Sequence, residues 1–169
     1  MKPQSDTRRR LLGGLALAAA LPPWQAARAA PALPGEAVQW PQVRLLDGSP
    51  WDGTHAGGKA VVAVFWSTTC PFCKRHNAHV DKLRQAAAGR ALEIVTIARE
   101  ADPQAVRRYV DRQGWQFAVT LDQASMRAAL STRNLIPLTV TVDRQGRLKQ
   151  VIPGEMSEED VLDLLKLGA

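Results

Sequence analysis

The sequence predicts a layered α/β domain, in which helices cover a β-sheet. Two continuous runs of apolar, β-prone residues, at 60–65 and 92–98, are typical of buried central strands. Each run is followed by a segment with helical signals. Two later strand-like runs surround a turn, and a capped helical segment comes last. This order of strands and helices indicates one α/β sheet, without an internal repeat or a second domain.

Composition and charge limit the function classes. The chain has 169 residues, of which 46% are hydrophobic and 22% charged, so it is neither disordered nor fibrous. The formal net charge is +6, but the first 29 residues contribute five basic residues and one acid. Residues 30–169 hold 17 basic and 15 acidic residues. A domain so close to neutral has no general field for polyanions, and we expect no nucleic-acid partner.

Residues 1–29 predict an export signal that precedes the domain at 30–169. Three arginines at positions 8–10 are followed by an apolar run at 11–21 and by an A-x-A cleavage pattern at 27–29. The apolar run is shorter than the roughly 20 residues that span a bilayer. The string TRRRLLG resembles the bacterial twin-arginine signal, which implies export to the periplasm, where disulfide chemistry is permitted. An uncleaved, membrane-anchoring leader is the alternative.

The first half of the domain predicts two strand–helix units. After a proline-rich extended stretch, a short strand at 43–46 ends in an Asp-Gly turn. A Gly-Gly pair then precedes the buried strand at 60–65. The helix that follows covers residues 70–88 and is stopped by a glycine. After the second buried strand, at 92–98, a helix at 103–112 has proline in its first turn and glycine just past its end.

The second half predicts one more strand and helix, a hairpin and a closing helix. Residues 117–121 are strand-like and residues 122–130 are helical. Strands at 138–142 and 148–152 flank an Arg-Gln-Gly sequence that is typical of a hairpin turn. Ser157 is followed by three acids and an apolar helical pattern, which predicts a capped helix whose dipole is complemented by charge.

Cys70 and Cys73 form a CxxC motif directly after the first buried strand, at the start of a helix. Unsatisfied N–H groups and the dipole at a helix N-terminus favour an anion, which predicts a stabilised thiolate at Cys70. Lys74 and Arg75 add positive charge, and Pro71 suits the first helical position. Two intervening residues let the sulfurs close and reopen a disulfide, so the motif predicts thiol–disulfide exchange.

Three other uses of a CxxC motif are a structural disulfide, haem attachment and zinc binding. A purely structural disulfide would close a loop of only four residues, which removes little entropy from the unfolded chain. Haem attachment requires histidine after the second cysteine, where the chain has Lys74. Zinc is a stronger alternative, because His76 and His79 follow the two cysteines at the same spacing. Successive members turn by about 60° around a helix, so the four side chains cannot converge on one tetrahedral ion.

Two segments resemble parts of the thioredoxin superfamily. Residues 65–73, with the sequence FWSTTCPFC, resemble its FWxxxCxxC segment, and residues 136–139, IPLT, resemble its cis-proline loop. The export signal, the WQF at 115–117 and the PGEMS at 153–157 are similar to the TlpA/ResA-like branch of thiol–disulfide oxidoreductases. The resemblance covers nearly all of the domain. It implies a thioredoxin-like fold, with a central mixed β-sheet flanked by helices.

The resemblance also implies roles for particular residues. Cys70 would be the exposed nucleophile and Cys73 the buried resolving thiol. Pro137 would be a cis-proline facing the disulfide, with Ile136 offering backbone groups to an extended substrate. An ordinary trans proline that opens a strand is the alternative for this position. The residues expected to shape the site around the pair are Trp66, Pro71 and Phe72.

Departures from the family concern the residues around the pair that handle protons. Thr69 replaces a common tryptophan, Val64 replaces the buried aspartate of thioredoxins, and His76 replaces a glutamate common in the TlpA/ResA-like branch. Proton transfer to the resolving sulfur must therefore use water, His76 or an acid from elsewhere. Glu100, just after the second buried strand, is a candidate by position.

The predicted function is a periplasmic thiol–disulfide oxidoreductase, acting as a disulfide reductase of TlpA/ResA type. The resemblance implies protein thiols or disulfides as substrates and a membrane electron donor of the thiol-reducing kind, without a metal or another cofactor. We expect a monomer. A DsbA-like oxidase is the main alternative, because such oxidases also have proline after the first cysteine. A Sco-like copper chaperone would have CxxxC and a distant histidine, and a peroxidase relative would have threonine in place of Ser67.

Overall fold

The computed structural model describes residues 30–169, and the predicted export signal at 1–29 lies outside them. The strands are β1 (Val43–Arg44), β2 (Pro50–Trp51), β3 (Ala60–Trp66), β4 (Leu92–Ala98), β5 (Ala118–Thr120), β6 (Leu138–Val142) and β7 (Leu148–Pro153). The helices are α1 (Pro71–Ala86), α2 (Pro103–Gln113), α3 (Gln123–Leu130) and α4 (Glu158–Asp163).

A mixed β-sheet of five strands, in the order β5-β4-β3-β6-β7, forms the centre of the fold, and β1 and β2 form a separate pair. The central strand β3 pairs in parallel with β4 and antiparallel with β6. All seven residues of β3 are buried, as expected for a continuous apolar run with no polar face. β6 and β7 form the predicted hairpin, with Gly146 at a positive φ of 75°. A mixed sheet flanked by helices confirms the predicted fold class.

Helices cover both faces of the sheet. The even-numbered residues of β3 pack with α1, α2 and α4 on one face. The odd-numbered residues pack with α3 and with the segment before β3 on the other face. Side chains alternate between the faces of a strand, so β3 contributes to both cores. The carboxyl ends of β3 and β4 lie side by side at one edge of the sheet, and α1 begins there.

The helix ends follow the capping signals in the sequence. Asp102 caps α2, Pro103 is its first residue, and Gly114 ends it in the left-handed conformation at φ 71°. Ser157 caps α4 in the same manner as Asp102. α1 ends at Ala86, two residues before the predicted end, because the chain leaves the helix in a turn that the next glycine completes. Within residues 30–169 no helix is long and apolar enough to cross a membrane.

Short elements were not predicted from the sequence. These are β2 and a 3-10 helix at Gly53–Ala56. Elements of two to four residues are too short to carry a hydrophobic period. The predicted closing helix is α-helical only to Asp163 and continues as a 3-10 helix at Leu164–Gly168. β2 is held in place by Trp51, which is 3% exposed and donates its indole N–H to Glu93 on β4.

Candidate active site

Cys70 and Cys73 lie where β3 passes into α1, at the edge of the sheet. The two residues form a disulfide, with their Cα atoms 5.2 Å apart. Cys70 is the N-cap residue of α1 and is partly exposed, whereas Cys73 lies in the first turn and is 0% exposed. This difference agrees with an accessible first sulfur and a buried second one.

The start of α1 provides the electrostatic environment of Cys70. The N–H of Cys73 donates to Cys70 Sγ at 3.1 Å, and the first turn of the helix contains no acidic residue. Pro71 occupies the first helical position, where the missing N–H costs nothing. A sulfur that accepts a backbone N–H at a helix N-terminus is stabilised as a thiolate.

Phe72 lies between the two cysteines in the sequence and is 56% exposed. The guanidinium of Arg75 lies over this ring, 5.0 Å from its centroid. Arg75 in turn donates from Nε and Nη2 to the two carboxylate oxygens of Glu155, at 2.7 and 2.6 Å. The hydrogen bond from Arg75 lowers the pKa of Glu155, so the pair stays ionised. One face of the exposed Phe72 ring is therefore covered by a guanidinium whose charge is balanced by Glu155.

The Ile136–Pro137 peptide bond is cis, as predicted. Phe65 of β3 pairs with Leu138 of β6, so Pro137 lies beside the end of β3, next to the loop that carries Cys70. Pro137 is buried and its carbonyl accepts the N–H of Gly154. Ile136 is partly buried, and the preceding residue, Leu135, is 51% exposed. Exposed apolar side chains thus lie within the CxxC motif, at Phe72, and just before the cis-proline, at Leu135.

Trp66 lies below the site and does not reach the surface. It is 0% exposed and packs against an aromatic cluster on α2 and the segment leading to β5. The ring centroids of Tyr109, Trp115 and Phe117 lie 5.9, 6.1 and 6.4 Å from that of Trp66. Trp66 therefore fixes the end of β3 in the core, at the point where the loop to Cys70 begins.

His76 is buried one turn after Cys73, and both of its ring nitrogens have partners. Nδ1 accepts the N–H of Met156 at 3.2 Å, which requires Nδ1 to be unprotonated. Nε2 therefore carries the hydrogen of the neutral ring and donates it to Thr139 Oγ1 at 2.9 Å. Burial lowers the pKa of His76 to about 4, with a smaller contribution from His79 and an opposing one from Glu155. The ring joins α1 to β6 as a neutral group.

Glu100 follows β4 and contacts the loop between β3 and Cys70. Its Oε1 accepts three hydrogen bonds, from Ser67 Oγ and Thr68 N–H at 2.7 Å and from Thr68 Oγ1 at 2.9 Å. Burial raises the pKa of Glu100, but these hydrogen bonds outweigh it and leave the pKa below its ordinary value. The partly buried carboxylate is therefore an anion at neutral pH.

The family model described as Redoxin matches residues 33–166 of this chain. The chain belongs to the Redoxin family. Thiol-disulfide oxidoreductase ResA from Halalkalibacterium halodurans is 30% identical over 123 residues, which are 72% of this chain and 69% of that protein. The ResA of Geobacillus kaustophilus is 29% identical over 106 residues, 62% of this chain and 60% of that protein.

A solved structure agrees with this Redoxin assignment. It is a thiol:disulfide interchange protein of the thioredoxin family from Chlorobium tepidum TLS, with a TM-score of 0.69 and 25% identity. The match covers 82% of this chain and 99% of that one. This Redoxin-family protein is therefore a thiol–disulfide oxidoreductase that acts on protein thiols and disulfides, and Cys70 and Cys73 are its redox-active pair.

The arrangement of Cys70 and Cys73 fits a thiol–disulfide exchange in two steps. In such an exchange a thiolate on the accessible Cys70 would attack a substrate disulfide, form a mixed disulfide and release one substrate thiolate. The Cys73 thiolate would then attack the Cys70 sulfur, close the internal disulfide and release the second substrate thiolate. Two electrons pass from the cysteine pair to the substrate, and the reverse sequence oxidises a substrate dithiol.

The sequence missed several partners of the predicted site residues. The sequence motifs name Arg75, His76 and Glu100 but not the groups that bind them, which are Ser67, Thr68, Thr139, Glu155 and Met156. The signal available in the sequence was the presence of polar residues between Trp66 and Cys70 and in the segment at 153–157, but it does not say which groups they bind. Among the side chains that the structure describes, no three of His, Cys, Asp or Glu are grouped so that they could hold a metal ion.

Proposed function

We propose that the protein is an exported disulfide reductase, in which reduced Cys70 and Cys73 deliver electrons to protein disulfides outside the cytoplasm. The thiol–disulfide exchange activity is common to reductases and oxidases of this kind, so the direction of electron flow depends on the reduction potential of the pair. The environment of Cys70 supports the reducing direction.

The observation that carries this proposal is the small number of donors to Cys70 Sγ. An oxidant stabilises its thiolate more than its disulfide, which takes hydrogen-bond donors or positive charge aimed at the nucleophilic sulfur. Among residues 30–169, the hydrogen bond to Cys70 Sγ comes from the backbone N–H of Cys73. Phe72 has no N–H or O–H to offer from its side chain, and the charge of Arg75 is balanced by Glu155.

The reduction potential of the pair tests the direction. We expect a value nearer that of thioredoxin, about −270 mV, than that of DsbA, about −120 mV. The measurement equilibrates the protein with glutathione buffers of graded composition and quantifies the reduced fraction by alkylation and mass spectrometry. A potential at the DsbA end, together with restored disulfide formation in cells that lack an oxidase, would establish the oxidase instead.

The site of action follows from the sequence before the domain. The arginine cluster, apolar run and A-x-A pattern in residues 1–29 support export through the twin-arginine route and cleavage near residue 29. A reductase in an oxidising compartment needs a continuing supply of electrons, so we infer a membrane donor of the thiol-reducing kind. We also propose that the protein is a monomer. In cells without such a donor, Cys70 and Cys73 should accumulate as the disulfide. An unchanged reduced fraction would contradict the membrane donor but leave the potential intact.

A further inference from the structure

The loop between β3 and α1 is short and is fixed at both ends. Trp66 ends β3 in the core, and Cys70 begins α1, so only three residues determine how the nucleophile meets its helix. The N–H of Cys70 donates to the carbonyl of Ser67, and the N–H of Thr69 donates to Ser67 Oγ. The conformation of Cys70 therefore depends on where Ser67 is held.

Glu100 holds Ser67 and the residue after it. Because the Ser67 hydroxyl donates its hydrogen to Glu100, it can receive the hydroxyl of Thr69, whose Oγ1 lies 3.0 Å away. The same carboxylate oxygen accepts the backbone N–H and the hydroxyl of Thr68. One anion from the next strand thus binds the main chain and two side chains of the loop, and a hydrogen-bonded path runs from Glu100 through Ser67 to Cys70.

The contacts of Glu100 are those of an anchor rather than of a proton carrier. All three donors are directed at Oε1 and need that oxygen as an acceptor, so the ionised carboxylate is the form that the loop stabilises. The Glu100 carboxylate also acts on a titratable group of α2, Tyr109. Burial raises the pKa of Tyr109, and the Glu100 carboxylate raises it to a smaller extent, whereas the guanidinium of Arg112 lowers it.

We propose that Glu100 is a positioning residue for the nucleophile: it fixes the loop at Ser67 and Thr68 so that Cys70 Sγ meets the N–H of Cys73 at the start of α1. The proposal goes beyond the direction of electron flow, because a well-placed Cys70 thiolate is needed for both reduction and oxidation. Loss of the anchor should let Cys70 leave the N-cap position and lose the donor that stabilises its thiolate.

The test compares two substitutions of Glu100 that separate geometry from charge. Glu100→Gln keeps an acceptor oxygen for the three donors, whereas Glu100→Ala removes both the acceptor and the charge. The readout is the pKa of Cys70 in the reduced protein, from the pH dependence of alkylation by iodoacetamide, with exchange against an oxidised peptide disulfide measured in parallel.

Positioning and simple electrostatics predict opposite signs for Glu100→Ala. Removal of a nearby anion alone would lower the pKa of Cys70 in both variants. If Glu100 positions the loop, Glu100→Ala should raise that pKa by about one unit and slow alkylation near neutral pH by about tenfold. Glu100→Gln should keep the wild-type pKa or lower it slightly, and should keep the exchange rate.

Two results would overturn the proposal. A lower Cys70 pKa in Glu100→Ala would mean that the carboxylate acts through its charge alone, and an unchanged pKa would mean that the loop anchor does not control the thiolate. An equal loss of exchange in Glu100→Gln and Glu100→Ala would mean that Glu100 carries a proton. Ser67→Ala breaks the same path without touching the carboxylate and should raise the Cys70 pKa as well, which provides a second reading if Glu100→Ala does not fold.

Glu93 supplies the matched control. It is a partly buried carboxylate on β4, the strand that precedes Glu100, at the end of the strand opposite the site, and it also accepts a side-chain hydrogen bond, from Trp51. Glu93→Ala should reduce stability and leave the Cys70 pKa at its wild-type value. A similar pKa increase in Glu93→Ala would show that general loosening of the fold, rather than the loop anchor, controls the nucleophile.

Discussion

The buried imidazole of His76 should make the oxidised protein lose stability in mild acid. The pKa of His76 is lowered by burial to about 4 in the folded protein, against 6.5 for an unperturbed histidine. Between these values the unfolded chain binds a proton that the folded protein does not, so stability falls as the pH decreases. The contribution is fully present above pH 6.5 and is lost by about pH 4. One pKa unit corresponds to about 1.4 kcal/mol, so the loss is about 3 kcal/mol.

The assay compares urea unfolding of wild type and His76→Gln at a series of pH values from about 7 to 4, with the disulfide intact. Glutamine can accept from Met156 and donate to Thr139 but does not titrate. Between about pH 7 and 4 the His76→Gln variant should therefore lose about 3 kcal/mol less of its unfolding free energy than wild type does. Carboxylates common to both proteins cancel in the comparison. His79→Gln, on the same helix, keeps the buried ring and should keep the steep loss. Parallel curves for wild type and His76→Gln would refute the argument.

The remaining predictions concern the redox pair and the signal. Cys70 should react with iodoacetamide well before Cys73, because only Cys70 is accessible and near a helix N-terminus; equal rates would contradict this geometry. Cys70→Ser should abolish exchange, whereas Cys73→Ser should trap a mixed disulfide that gel electrophoresis without reductant detects. Phe72→His should raise the reduction potential by about 30 mV or more, since a hydrogen bond to a charged sulfur contributes about 1.4 kcal/mol; Phe72→Leu, which adds no donor, should not. Replacing Arg8 and Arg9 by lysine should retain the tagged protein in the cytoplasm, and continued export would exclude the twin-arginine route.

The regular elements of the domain were largely predictable because local sequence determines them. The predicted strands at 92–98 and 138–142 have the same limits in the structure, and β3 extends by one residue beyond its prediction. Ser157 locates α4 because a side-chain acceptor at an N-cap satisfies the first backbone N–H groups of the same segment, and Pro103 and Gly114 mark the two ends of α2. No distant residue is needed for these inferences.

The surroundings of the redox pair could not be predicted in the same way, because they depend on contacts between distant parts of the chain. His76 binds Thr139, which is 63 residues away, and Arg75 binds a carboxylate 80 residues away. Glu100 was a candidate by position, but its three bonds to the loop depend on the parallel pairing of β3 with β4. A sequence pattern locates a polar residue near a site without specifying which group it contacts.

The Arg75 contact changes how the charge near the nucleophile should be interpreted. The sequence alone predicts two cations, Lys74 and Arg75, close to Cys70. In the structure, Nε and Nη2 of Arg75 donate to the two carboxylate oxygens of Glu155, and the face of the guanidinium covers Phe72, so much of that positive charge is balanced close to its source. The thiolate then relies mainly on the backbone N–H at the helix start. The reduction potential should therefore respond to residue 72 and to the loop that positions Cys70 more than to the cations that follow Cys73.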